Sequence, residues 1–196
     1  TVDEYAMLKR CFMGGYTHAS MRYSGETLHD MDSIDFTSSY PYVMLSEQFP
    51  MSRPIKVDLT KQKFTDLLKN FCLMFDACFI NLRSKLTYDS YLSESKCSKL
   101  ENPVINNGRV YSADKVVTTI TDVDYEIMRE NYEWDEMYIG DCYKFYKQYL
   151  PRDVILAILE LYGNKTTLQG VEGKEVEYLL SQGMLNAVFG MRVPAI

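Results

Sequence analysis

The stretch Asp35-Phe36-Thr37-Ser38-Ser39-Tyr40-Pro41 constrains this chain more than any other. Ahead of it, Met31 to Ile34 reads as the end of a strand that begins near Leu28. Behind it, Pro41 opens an apolar segment, Tyr42-Val43-Met44-Leu45. Proline suits the first turn of a helix, where its fixed φ and missing N–H do no harm. The stretch therefore predicts a strand, a tight turn and a helix start, with a carboxylate at the strand end. Such a carboxylate offers hard oxygen to a divalent cation, and the N–H groups of a turn and helix N-terminus suit phosphates. A strand–turn–helix joint with no chemistry of its own is the plainer interpretation of the same residues.

The rest of the chain predicts a mixed α+β fold. Its 196 residues, 46% of them hydrophobic, are enough for one large or two small cores. Val2 to Phe12 carries Tyr5, Leu8 and Phe12 at helical spacing, and Gly14-Gly15 breaks the pattern. His18 to Tyr23 predicts a strand. His18 and His29 have no cysteine or acid cluster at ligand spacing. Thr60 is placed to cap a helix through Phe71. Cys72 to Leu82 then reads as a long apolar strand with Cys72, Met74, Asp76, Cys78 and Ile80 on one side. Ser84 to Asn107 is rich in Ser, Lys and Asn and predicts a mobile loop or tongue. Asn106-Asn107-Gly108 predicts a hairpin turn, and Val116 to Ile120 a strand. Thr121-Asp122-Val123-Asp124 has the form of a capping box for a helix to about Asn131, and Trp134 to Tyr146 returns as strand. Pro151 opens a helix to Tyr162 that Gly163 stops, and a second helix runs from about Val171 to Phe189.

The net charge of −6 argues against a free-standing nucleic-acid binder. In a larger enzyme, a binding cleft takes its positive charge from other parts. Five cysteines, Cys11, Cys72, Cys78, Cys97 and Cys142, form no Cys-x-x-Cys pair, which suits reduced thiols in a cytosolic protein. With no signal peptide and no apolar run of membrane length, the expectation is a cytoplasmic protein without a membrane partner. Thr1 and Ile196 are expected to be cut ends. Tyr143 to Tyr149 interleaves rings with cations, a pattern that suits single-stranded nucleic acid but is more often a half-buried strand with a solvated lysine face.

Four stretches, in order along the chain, resemble the protein-primed branch of the family B DNA polymerases. Phe12-Met13-Gly14-Gly15 resembles its aromatic-x-Gly-Gly element, and Asp35 to Pro41 its first catalytic motif. Ile120 to Met128 resembles the insertion of phage polymerases that start from a protein primer, and Met184 to Gly190 the second catalytic motif. The resemblance implies part of a polymerase palm at 1–46 and an insertion like the first terminal-protein region at 47–149. An antiparallel pair of fingers helices follows at 150–190, with the start of a return to the palm at 191–196.

It also implies template-directed deoxynucleotidyl transfer with Mg²⁺ or Mn²⁺, held by the Asp35 carboxylate and the Phe36 carbonyl. N–H groups around Ser38, Ser39 and Tyr40 would cradle the triphosphate, and the Tyr40 ring would lie beneath the sugar and reject a 2′-hydroxyl. Gln182 and Asn186 would face the nucleotide; Gly14, Gly15, Phe189 and Gly190 would face DNA, although Gly14-Gly15 also reads as a simple helix stop. The implied partners are a DNA template-primer, deoxynucleoside triphosphates and a terminal (primer) protein, in the cytoplasm of a bacterial host. The sequence departs from its relatives at Gln182, where they have lysine, Ala187 (serine), Phe189 (tyrosine) and Ser39 (leucine). Lys165 or Lys174 would then supply the missing cation. The second carboxylate motif, Tyr-x-Asp-Thr-Asp-Ser, is not in this sequence, so the isolated chain is expected to be inactive. A non-catalytic module that binds a primer protein through 47–149 is the alternative, favoured by the acidic charge and by Gln182 and Ala187.

Overall fold

The computed structural model describes residues 2–17, 21–36 and 38–190, the side chains of Met21 and of residues 188–190 excepted. The elements are α1 (Val2–Cys11), α2 (Ser39–Ser46), β1 (Phe49–Pro50), β2 (Ile55–Lys56), α3 (Phe64–Asn70), β3 (Phe71–Ser84), β4 (Cys97–Glu101), β5 (Val104–Asn106), β6 (Arg109–Thr121), α4 (Asp122–Asn131), β7 (Tyr132–Glu133), β8 (Glu136–Gln148), α5 (Arg152–Leu168) and α6 (Glu175–Gly190). The class is α+β, as predicted. The elements fall in two compact units, one of residues 1–31 and 52–146 and one of residues 32–51 and 147–196. No helix among the described residues is long and apolar enough to cross a membrane.

The first unit is organised around β3. It lies between β8 and β6, β4 flanks β6, and every one of these pairings is antiparallel. Alternation along β3 decides what each face meets. Leu73, Phe75, Ala77 and Phe79 are buried with Leu67 of α3, Met128 of α4 and Tyr132. Cys72 and Met74 turn the other way, towards Phe145 and towards Met7 and Cys11 of α1. A fully buried side chain of this size contributes about 1.5–3 kcal/mol, so a strand covered on both faces dominates the unit. The Phe64 ring meets Phe75 edge-on at 5.1 Å, and Phe79 meets Trp134 at 4.9 Å. On the α1 side, Arg10 Nε donates to Thr119 Oγ1 (3.1 Å) and the Thr119 hydroxyl donates to Asp76 (2.6 Å).

The capping box forms as predicted. The Asp124 N–H donates to Thr121 Oγ1 (3.2 Å), and the Thr121 N–H donates back to the Asp124 carboxylate (2.9 Å). The β5–β6 hairpin also forms. Asn106 pairs with Arg109, and Asn107 and Gly108 between them both have positive φ (48° and 71°), the signature of a type I′ turn.

Four expectations need correction. Residues 84–107 are no loose tongue: they contain β4 and β5, and Leu92 and Ser90 are buried. The Tyr132 hydroxyl pins this segment, donating to the Val110 carbonyl (2.7 Å) and accepting the Leu92 N–H (3.0 Å). Its polar composition reflects half-exposed outer strands of a sheet. Secondly, Leu28 to Phe36 is not a strand; its residues have no sheet partner among the described strands, and extended backbone becomes strand only where a neighbour accepts its hydrogen bonds. Residues 21–23 form a 3-10 turn, while the remainder of the expected strand from His18, and His18 itself, lie outside the described residues. Thirdly, Thr60 does not cap α3; it bonds the Asp58 carboxylate, and α3 opens at Lys63 without a side-chain cap.

The fourth correction concerns the second unit. Here β1 pairs with the last residues of β8, and Met44 of α2, Ile158 of α5 and Leu185 of α6 form a small core. Helix α5 runs straight through Gly163 to Leu168, so Lys165 is helical. A glycine costs a helix about 1 kcal/mol relative to alanine but ends it only where the chain turns left-handed. That residue is Gly170 (φ 76°), just beyond the C-cap Gln169.

Candidate functional site

Ser38 begins the site. Its backbone is left-handed (φ 56°, ψ 45°), which costs a residue with a Cβ roughly 1–2 kcal/mol. Its carbonyl accepts the Tyr42 N–H (3.1 Å) as the first bond of α2. Its hydroxyl does not fold back onto the helix start; it accepts a hydrogen bond from Lys165 Nζ (3.0 Å). The Ser38 side chain therefore gives the start of α2 no cap, at a helix end that carries partial positive charge and is joined to an ammonium group. Buried Pro41 and Met44 anchor the helix, while Ser39, Tyr40 and Asp35 stay exposed.

Lys165 reaches Ser38 because it shares the packed face of α5. Ile155, Ile158, Leu161, Lys165 and Leu168 are the half-buried or buried residues of that helix, at spacings of three and four. On α6 the inner face is Tyr178, Ser181, Gln182 and Leu185. Steps of four advance about 40° beyond a full turn, so the series Tyr178, Gln182, Asn186 drifts off that face. Gln182 is half-buried, and Asn186 and Ala187 are exposed. Phe189 and Gly190 continue α6, and their side-chain surroundings lie outside the described residues. Lys174 is ion-paired with Glu177 (2.7 Å), so of the two candidate cations only Lys165 is joined to the Ser38 turn.

Asp35 is exposed and forms no ion pair or hydrogen bond among the described residues, and Phe36 beside it is 81% exposed. No group of three or more His, Cys, Asp or Glu that could hold a metal ion occurs among the described residues. One open carboxylate next to a backbone carbonyl fits a hydrated, hard divalent cation; a closed all-protein cage is not what these residues build. Gly14 and Gly15 belong to the first unit, exposed beyond the end of α1. The mixed ring-and-cation stretch is largely structural in its first half. Lys144 Nζ donates to Gln62 (2.9 Å) and stands 4.5 Å from the Phe71 ring centre, which also meets Tyr146.

Sequence reasoning missed Arg109 and Tyr91. The Arg109 guanidinium lies 4.6 Å over the Tyr16 ring, and Tyr91 stacks on the same ring at 6.1 Å. Only the position of Arg109, directly after the hairpin turn, hinted at a fixed side chain.

A helical pair packed on a helix start that the Ser38 side chain does not cap, preceded by an open aspartate, is joined in this chain to an antiparallel sheet unit. The family described as DNA polymerase type B, organellar and viral, matches residues 1–191, and the chain belongs to that family. Among solved structures, the fold is similar to Phi29 DNA polymerase complexed with primer-template DNA and incoming nucleotide substrates. That match has a TM-score of 0.74 and 19% identity, over 97% of this chain and 31% of that one. Phi29 DNA polymerase complexed with primer-template DNA in a post-translocation binary complex matches with a TM-score of 0.70 and 18% identity, over 97% and 30%. Phi29 DNA polymerase complexed with single-stranded DNA matches at 0.65 and 20%, over 97% and 30%. The chain thus spans under a third of the length of these solved polymerase chains. None of the curated proteins matches it.

Proposed function

We propose that this chain is the part of a protein-primed DNA polymerase that carries the first carboxylate motif, the primer-protein insertion and the helices that grip the incoming deoxynucleotide. The observation that carries this reading is the bond between Lys165 and Ser38. It unites, at one helix start, a cation from α5 with the turn expected to cradle the triphosphate. In this reading the N-terminus of α2 and the Lys165 ammonium hold the phosphates, and Lys165 does the work of the lysine absent at 182. Tyr40, half exposed at the same turn, excludes a 2′-hydroxyl by its bulk. Asp35 and the Phe36 carbonyl would hold Mg²⁺ or Mn²⁺, which when bound neutralises phosphate charge and acidifies the primer hydroxyl.

Residues 1–46 and 191–196 are assigned to the palm, 47–149 to the insertion and 150–190 to the fingers. Met31, Ile34 and Phe36 are strongly exposed, which supports a place for this stretch against further palm strands. The partners are template-primer DNA, deoxynucleoside triphosphates and a primer protein with a reactive hydroxyl.

The test is primer extension. The isolated chain with Mg²⁺ and all four deoxynucleotides is expected to extend nothing, because one carboxylate cannot hold two ions. The full-length polymerase carrying these residues should extend primers, and Asp35→Ala should abolish it. The exposed, lone Asp35 and the glutamine at 182 favour one second reading, a non-catalytic module that binds the primer protein. A full-length protein that captures a primer protein but never extends DNA would favour that module.

A further inference from the structure

We infer that the sheet unit is the mount for the Gly14-Gly15 loop, with Arg109, Tyr16 and Tyr91 as positioning residues, so that the insertion sets how firmly the polymerase holds its template strand. This rests on the proposed polymerase function and on the resemblance of Phe12-Met13-Gly14-Gly15 to the family's aromatic-x-Gly-Gly element, which implies that the glycines face the template strand.

The loop is pinned on both sides. Before it, Met13 packs against the main core. After it, the Tyr16 hydroxyl donates to the Asp89 carbonyl (2.7 Å), and its ring stacks on Tyr91 with 21° between the planes. Arg109 closes the clamp: its guanidinium covers the Tyr16 ring at 4.6 Å, donates to the Tyr91 carbonyl (2.9 Å) and donates to the Thr17 carbonyl (3.2 Å). Arg109 is itself held at the foot of the two-residue hairpin, opposite Asn106.

Between these pins the glycines stand open. A Cβ at Gly14 or Gly15 would meet nothing within 4 Å among the described residues. Gly14 needs glycine for its φ of +70°, but Gly15 has no positive φ and no crowding neighbour among the described residues. What remains to favour glycine at 15 is close approach by something else. Exposed backbone N–H groups without side chains suit a phosphodiester oxygen.

The clamp continues into the insertion's own motif. The Tyr91 hydroxyl donates to the Asp124 carboxylate (2.5 Å), and Asp124 closes the capping box of α4. A continuous line of contacts therefore runs from Thr121-Asp122-Val123-Asp124, through Tyr91 and Tyr16, to the glycines.

The experiment measures equilibrium binding of a labelled primer–template duplex at fixed salt, together with the deoxynucleotide KM at saturating DNA, in the full-length polymerase. Arg109→Ala and Tyr16→Ala should each weaken duplex binding by about tenfold, since each removes a cation–ring contact together with hydrogen bonds. Their combination should be no worse than either alone, and the deoxynucleotide KM should not move. Tyr16→Phe keeps the stack and should stay close to the parent. Tyr16 is half exposed, so its removal leaves the core intact. Gly15→Val is the control for template contact itself. If Gly15→Val weakens binding and the Arg109 and Tyr16 variants do not, the mount is overturned and template contact stands. If Gly15→Val also leaves binding unchanged, both fall. Additive losses, or a KM that shifts as much as the duplex affinity, would mark a general structural role and also overturn the mount.

Discussion

At the scale of single residues, Lys165 takes, in the proposed function, the part of the lysine that the family resemblance implies at 182. Lys165 is already bonded to Ser38, whereas Lys174 is occupied by Glu177. In the full-length polymerase proposed above, Lys165→Ala is therefore expected to raise the apparent KM for deoxynucleotides about ten- to a hundredfold, the equivalent of about 1.5–3 kcal/mol for a charge-assisted phosphate contact. Gln182→Lys should change KM little if Lys165 supplies the charge as proposed, because position 182 is half-buried in the helix pair. Steady-state kinetics on the two variants check this, and equal KM values throughout would detach this helix pair from the triphosphate. Burial also sets the chain's behaviour in alkali. It pushes the Cys11 and Cys142 thiols up to about 11 and Cys97 to about 12, from an ordinary 9.0, and Tyr132 up to about 12 from 10.0. The unfolded chain releases these protons earlier, so the folded state binds more of them between about pH 9 and 12. Their stabilisation is fully present below about pH 9 and is lost as the pH rises through that window. Thermal melts from pH 8 to 11 should show Tm falling above about 9, and the three thiols should alkylate slowly near pH 8.

At the scale of elements, local chemistry decides where helices and hairpins begin. Thr121→Ala removes the acceptor for the Asp124 N–H and should cost about 1 kcal/mol, read as a lower denaturant midpoint with an unchanged slope. The effect should not stop at α4, because Asp124 also receives the Tyr91 hydroxyl. Gly108→Val places a β-branched residue at φ 71° in a turn with open space around it, so strain alone should destabilise it by about 1–3 kcal/mol. Gly163→Ala is expected to do the reverse and stabilise α5 by up to about 1 kcal/mol, because the helix passes through it and a Cβ there meets nothing. A destabilising Gly163→Ala would show that the helix needs a break there.

For the whole molecule, the two units differ in what holds them. The sheet unit buries Leu73, Phe75, Phe79, Leu82, Val110, Val116, Ile120, Met128 and Tyr132 in one continuous core. The other rests on Met44, Ile158 and Leu185, with Val154, Leu156, Leu159, Leu179, Leu180 and Met184 open to solvent. Local stability follows buried apolar contact, so amide exchange should be slowest in β3 and β6 and markedly faster in α5 and α6. Equal protection across both would mean that the helix unit draws stability from contacts beyond its own core.

How much of this was legible beforehand depended on range. The α4 capping box, the Asn107-Gly108 turn, the long β3 and the family motifs were readable because each is settled by residues within a few positions of one another. The α+β class followed from them. What the sequence did not determine was anything that needs a distant neighbour. Leu28 to Phe36 has strand-like residues but no partner, and residues 84–107 look like loop yet find β6 and Tyr132. Gly163 looks like a stop, but α5 continues until the left-handed Gly170. The site divides in the same way. Asp35, Ser38 and Tyr40 could be named from one motif, and Lys165 could be named only as one of two candidates. Which of them meets Ser38 came from tertiary structure, since packing of α5 on α2 carries an ammonium group across 127 positions of sequence to a serine hydroxyl.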